Sequence, residues 1–93
     1  MDEQQHAQDK LAAEHGLRPI DPDFKPGLTC TWFFASYGKV TQNKRVKVMT
    51  EPIGPSNTRR GRVRIDHVNK EGVTVKEGGY VNIEELYQQN LTV

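Results

Sequence analysis

Gly61-Arg62-Val63-Arg64-Ile65-Asp66-His67-Val68-Asn69-Lys70-Glu71-Gly72-Val73-Thr74-Val75-Lys76-Glu77 is the stretch that decides the fold class. Successive strand side chains point to opposite faces, so Val63, Ile65 and His67 share one face and Arg62, Arg64 and Asp66 the other. The pattern predicts a half-buried strand. Asn69-Lys70-Glu71-Gly72 reads as a four-residue hairpin loop, with Gly72 where a positive φ is needed, returning the chain into Val73–Glu77.

The same period of two extends in both directions. Upstream, Val46 and Val48 alternate with Arg45 and Lys47 in a strand over residues 44 to 50, and residues 51 to 61 form a loop by composition. Earlier still, Leu28, Cys30, Trp32 and Phe34 alternate with Thr29, Thr31 and Phe33. Downstream, Gly78-Gly79 turns the chain into Tyr80-Val81. Asn82 with Glu85 makes a capping box for a short helical turn carrying Ile83, Leu86 and Tyr87 on one side, and Leu91 and Val93 add a terminal strand. Short Val-rich strands with Gly-containing turns predict a mainly β protein. The expected form is a small SH3-like antiparallel barrel with a short N-terminal helix and a helical turn near the C-terminus, closed so that its strand edges are hidden. The expected core is Leu28, Cys30, Trp32, Phe34, Val46, Val48, Val63, Ile65, Val73, Val75, Val81, Ile83 and Leu86.

The first third of the chain differs. Asp2 and Gln5 suggest a capping box for a helix near residues 3 to 15, ending at Gly16, whose apolar stripe of Ala7, Leu11, Ala12 and Ala13 is thin. Pro19, Pro22 and Pro26 then favour an extended connector closing at Pro26-Gly27. Residues 1 to 27 are thus expected to be a helix and Pro-rich appendage outside the core, and 28 to 93 the barrel domain.

With 93 residues, of which 34% are hydrophobic, the chain suits one small core. No apolar run is long enough to span a membrane and the first 20 residues are polar, so a cytoplasmic protein is expected. A single cysteine, Cys30, makes neither an internal disulfide nor a cysteine-based zinc site, and its step with Leu28 and Trp32 makes it a small core hydrophobe. The net charge of +1 conceals segregation. Residues 39 to 70 carry nine Lys/Arg against two Asp/Glu, whereas residues 1 to 38 carry three against six and residues 71 to 93 one against four. Clustered Lys/Arg creates a local positive field whatever the total.

Arg45-Val46-Lys47-Val48-Met49, a loop, Gly61 to Val68, and Gly72-Val73-Thr74-Val75 together resemble the KOW-type SH3-like barrel of ribosomal proteins and transcription elongation factors. That family alternates V-x-V, a basic loop, G-x-V, a turn and V-x-V in this order. Gly61 matches its characteristic glycine, and Val63, Ile65, Val73 and Val75 match its core positions. The family's Gly- and Lys-containing loop is replaced here by Glu51-Pro52-Ile53-Gly54-Pro55-Ser56. The chain also resembles small prophage proteins with one Trp followed by such a barrel. The family resemblance implies nucleic-acid binding.

Motifs of catalysis are absent: there is no phosphate-binding glycine loop, nucleophile elbow or His-Glu-x-x-His helix. Asp66 and His67 are adjacent on a strand and point apart, and His6 and His15 lack ligand spacing, so neither a catalytic nor a metal site is expected and no cofactor is implied. The basic residues carry the chemistry. Arg45 and Lys47 on one strand and Arg62 and Arg64 on another converge on a single outer face if the strands pair, and Arg59 and Arg60 extend it from the loop. Arg clamps phosphate with two parallel bonds, amides near Gly61 offer anion contacts, and Phe33 and Tyr37 are candidates for base stacking. A monomeric, non-enzymatic module gripping RNA or DNA phosphates is expected; the alternative is a protein-interaction adaptor or inhibitor, phage-encoded, docking on an acidic protein surface.

Overall fold

The computed structural model describes residues 3–54 and 59–89. Helix α1 (Glu3–Glu14) leads into β1 (Leu17–Pro19), β2 (Thr29–Ser36), β3 (Lys39–Val48), β4 (Arg62–Val68) and β5 (Thr74–Asn82), followed by a 3-10 turn (Ile83–Glu85) and β6 (Leu86–Gln89). The strands form one antiparallel sheet in the order β1-β6-β2-β3-β4-β5. The fold is therefore mainly β and barrel-like, with the helix and helical turn where the sequence puts them. Closure is corrected: among the described residues β1 and β5 remain edges. β1 is short and ends in Pro19, which lacks the N–H that an interior strand would need.

The sheet curls around one core on its concave side. Ile20, Phe24, Cys30, Val46, Val48, Val63, Ile65, Val81, Ile83 and Leu86 are buried together there, with Leu28 and Trp32 packed against them. Phe34 is half-buried beside the β2–β3 bulge rather than central. Val73 and Val75, expected in the core, are 58% and 64% exposed. Register explains the error. β5 pairs with β4 as Val63↔Val81, Ile65↔Gly79 and His67↔Lys76, with irregularities between Ile65/Asp66 and between His67/Val68. The first bulge, at Gly78, puts the rest of β5 one residue out of step with Val81; Val75 is the extra, unpaired residue of the second; and Val73 lies in the hairpin loop before β5 begins. The Gly78-Gly79 pair is thus a bulge inside one continuous strand, not a turn: a Cβ on Gly78 would stand 3.0 Å from the Ile65 carbonyl oxygen, and Gly79 has φ +84°.

The hairpin ends behave as local chemistry requires. Gly72 has φ +81°, and the Asn69 side chain accepts from the Glu71 and Val73 amides, fixing the loop. Tyr37 and Gly38 form a two-residue loop between Ser36 and Lys39 with φ of 53° and 76°, the signature of a type I′ turn. β3 therefore starts at residue 39, earlier than alternation alone suggests. The C-terminal turn is a single 3-10 turn in which Asn82 donates its side-chain amide to Glu85 at 3.2 Å rather than capping the backbone. β6 follows at once, where the sequence placed helix; Asp2, Leu91 and Val93 lie outside the described residues.

The N-terminal appendage is the second correction. Ile20 and Phe24 belong to the main core, and Leu17 and Ala12 join Phe33, Ala35 and Tyr87 in a second cluster on the convex face. Gln8 is buried and bridges the elements: its amide nitrogen donates to the Phe33 and Glu84 carbonyls and to the Tyr87 hydroxyl, each at 3.3 Å. The helix that looks too thin to pack is held by polar groups.

Candidate nucleic-acid interface

Register fixes which cations share a surface. β3 pairs with β4 as Val46↔His67, Lys47↔Asp66 and Val48↔Ile65. Lys47 therefore lies on the convex face with Asp66, and Arg45, two residues back, shares that face. On β4 the same side carries Arg62 and Arg64, since Val63 and Ile65 fill the core. The four cations expected to converge do so, in a diagonal row running Arg45, Lys47, Arg64, Arg62. From the level of Arg45 to that of Arg62 is about six residues of strand, or about 20 Å.

The row is neither uniform nor purely cationic. Arg45 and Arg62 are exposed, whereas Lys47 and Arg64 are half-buried. Arg64 bonds to Asp66 at 3.4 Å and approaches Glu77 at 3.8 Å, and Asp66, buried itself, also accepts from the Thr74 hydroxyl at 3.3 Å. Asp66 thereby supports Arg64 from beneath. Its neighbour His67 turns to the other side, 6.1 Å from the Trp32 ring, so the two side chains part as expected. Among the described residues no ion pair involves Arg45, Lys47 or Arg62.

A groove of about 430 Å³ is lined from the convex side by Arg45, Thr29, Thr31, Asn43 and Gln89, and by Arg18, Cys30, Lys44 and Gln88, which alternate with them along their strands. Arg45 and neutral donors enter it from the cationic face, and among the described residues no carboxylate lines it. Arg18 and Lys44 were not singled out in the sequence. Arg18 stood in the supposed connector, and only the β1–β6 pairing, Arg18↔Gln88, brings it to the sheet.

Three other expected contacts fail. Phe33 is fully buried: α1 covers it, and its ring meets Tyr87 edge-on at 5.8 Å, so no base can stack on it. Arg59 is occupied, donating to both Asp9 carboxylate oxygens at 3.0 and 3.3 Å and to the Glu84 carbonyl at 2.9 Å, with its guanidinium 5.4 Å from the Tyr87 ring centre. Burial opposes its charge, but bonds to Asp9 and Tyr87 outweigh this and hold its pKa above the ordinary value. Gly61 is buried, with the Ile53 carbonyl 2.9 Å from where a Cβ would stand, and its own carbonyl accepts from Ile83, so it serves packing rather than anion contact. Arg60 is exposed at the entrance to β4. Tyr37 is wholly exposed but sits at the β2–β3 tip, six residues and about 20 Å along the strand from Thr31, the partner of Arg45.

An aromatic side chain is nevertheless present on the cationic face. Tyr80 pairs directly with Arg64 across β4 and β5 and is 57% exposed. Its position one residue before the core-facing Val81 is the available signal, hidden by Gly78-Gly79, which reads as a chain reversal in the sequence. Cys30 is buried and its thiol is pushed up to about 12 by desolvation, which suits a structural residue. Among the described residues no helix is long and apolar enough to cross a membrane.

Comparison of the chain with protein-family models, with curated proteins and with solved structures finds no match.

Proposed function

We propose that this chain is a non-enzymatic module that grips the phosphates of RNA or DNA with the convex face of its sheet, working in the cytoplasm. The observation that carries the reading is the diagonal row Arg45, Lys47, Arg64 and Arg62, continuous at Arg45 with a groove that also gathers Arg18 and Lys44. Like charges ranged along neighbouring strands repel one another, and a polyanion laid across them relieves that repulsion. Neutral donors Thr29, Thr31, Asn43 and Gln89 supply positioning bonds without selecting a base. The resemblance of residues 45 to 81 to KOW-type barrels points the same way.

Binding is expected to weaken steeply with salt. Fluorescence anisotropy of labelled RNA and DNA at two salt concentrations tests this, and no binding of either polymer at the lower salt overturns it.

One observation favours the second reading, a phage-encoded adaptor or inhibitor that docks on a protein. Val73 and Val75 are exposed beside β5, whose outer edge is unpaired among the described residues, and they serve no purpose in holding phosphate. Recovery of one stoichiometric acidic protein partner by affinity capture after nuclease treatment would support that reading.

A further inference from the structure

Tyr80 distinguishes this surface from a simple phosphate clamp. Its ring stands on β5 at the register of Arg64, on the side of the sheet that carries Arg62 and Lys47, and more than half of it is open to solvent. Directly opposite it across the strands stands Arg64. Buried Asp66 tethers the Arg64 guanidinium at 3.4 Å.

Resting on the phosphate-binding reading above, we infer that the ligand is a single strand, whose backbone follows the row of cations and one of whose bases stacks on Tyr80. A duplex keeps its bases stacked on one another and offers its outer phosphates to a protein, so an exposed ring beside a cationic row has no partner there. A single strand has free base faces, and every base has one, which gives stacking without sequence preference. The span also suits a flexible strand. Three strand spacings separate Thr31 on β2 from Tyr80 on β5, about 14 Å, with cations on the two strands between. At Arg45 the row opens into the groove, where Thr29, Thr31 and Asn43 share its side of the sheet and carry the strand onward toward β2 and β6.

The experiment compares a labelled single-stranded 12-mer of uridylate, the same length of thymidylate, and a 12-base-pair duplex, each titrated with the full chain over a range of salt. Tyr80→Ala is expected to weaken single-strand binding by about 5- to 100-fold while leaving the salt slope and duplex binding unchanged. Tyr80→Phe keeps the ring and is expected to bind like the unmodified chain. Arg45→Ala/Lys47→Ala flattens the logarithmic salt slope by about 1.4, the share of two phosphate contacts on a single strand. Tyr80 is exposed, so its truncation should leave the far-ultraviolet circular dichroism unchanged, and upfield movement of its ring proton resonances on adding the uridylate strand reads stacking directly. Equal single-strand affinity for Tyr80→Ala and the unmodified chain, with Arg45→Ala/Lys47→Ala weakened, overturns the stacking inference and leaves the phosphate reading standing. Absence of binding by any of the three polymers overturns both.

Discussion

The contact between Asp9 and Arg59 is what fastens α1 to the sheet, and Asp9→Ala tests it. Asp9 accepts two bonds from the Arg59 guanidinium, at 3.0 and 3.3 Å, and one from the Tyr87 hydroxyl at 2.5 Å. The Arg59 and Asp9 side chains are 18% and 24% exposed, so the pair is neither bathed in water nor fully dry. Removing one partner of a fully buried pair costs about 3–5 kcal/mol, and losing a hydrogen bond to a charged group about 1.5–3 kcal/mol. With partial exposure the lower range applies, and a loss of about 2–3 kcal/mol is expected, because Arg59 is left charged beside an apolar ring. Against total stability of about 5–14 kcal/mol for a chain of this size, that is a large fraction and should lower Tm by roughly 8–20 °C. Urea titration followed by Trp32 fluorescence reads the change, since Trp32 is half-buried and its indole N–H bonds to Glu85 at 3.1 Å. A double-mutant cycle with Arg59→Ala isolates the pair. A coupling energy below about 0.5 kcal/mol, or an Asp9→Ala chain within that margin of the unmodified one, would refute the idea that this contact holds the helix.

Three other outcomes are expected. Deleting residues 1 to 26 removes Ile20 and Phe24 from the core and uncovers Phe33, so the truncated chain should lose cooperative thermal unfolding by circular dichroism; a sharp transition near that of the full chain would show the segment to be dispensable. The Cys30 thiol is raised from 9.0 to about 12, so the fold favours its protonated form: the stabilisation is complete below pH 9 and is lost as pH climbs toward 12, by about 4 kcal/mol in all. Urea midpoints measured from pH 8 to 11 should fall, and in Cys30→Ala the decline should begin only near pH 10, where Tyr87, pushed up to about 12 chiefly by burial, starts to contribute. Tyr37→Asn replaces a bulky residue at φ 53° with one that tolerates this backbone and should stabilise the chain by about 0.5–1.5 kcal/mol in the same titration; a lower midpoint would mean that the ring makes a stabilising contact.

Much of this protein is written in its local sequence. Alternation over Arg62–Val68 placed Val63 and Ile65 in the core and Arg62 and Arg64 outside it, because a strand's side chains have no other choice. Gly72 marked its turn for the same kind of reason, since few residues adopt that backbone at low energy. The four-cation row followed from two such strands once they paired. What alternation does not reveal is what lies over each face. Phe33 and the threonines share a face of β2, yet one end of it is roofed by α1 and the other is open, a difference created by residues some 25 positions away, such as Gln8. Arg59 looked like part of the basic patch until Asp9, 50 residues earlier in the chain, took it. Val75 lost its place in the core through bulges whose position depends on how β5 meets β4, and Tyr80 came to the cationic face by the same register. Period and turn chemistry act over a few residues and are legible there. Coverage, register and charge pairing join residues far apart in the chain, and only the folded sheet decides them.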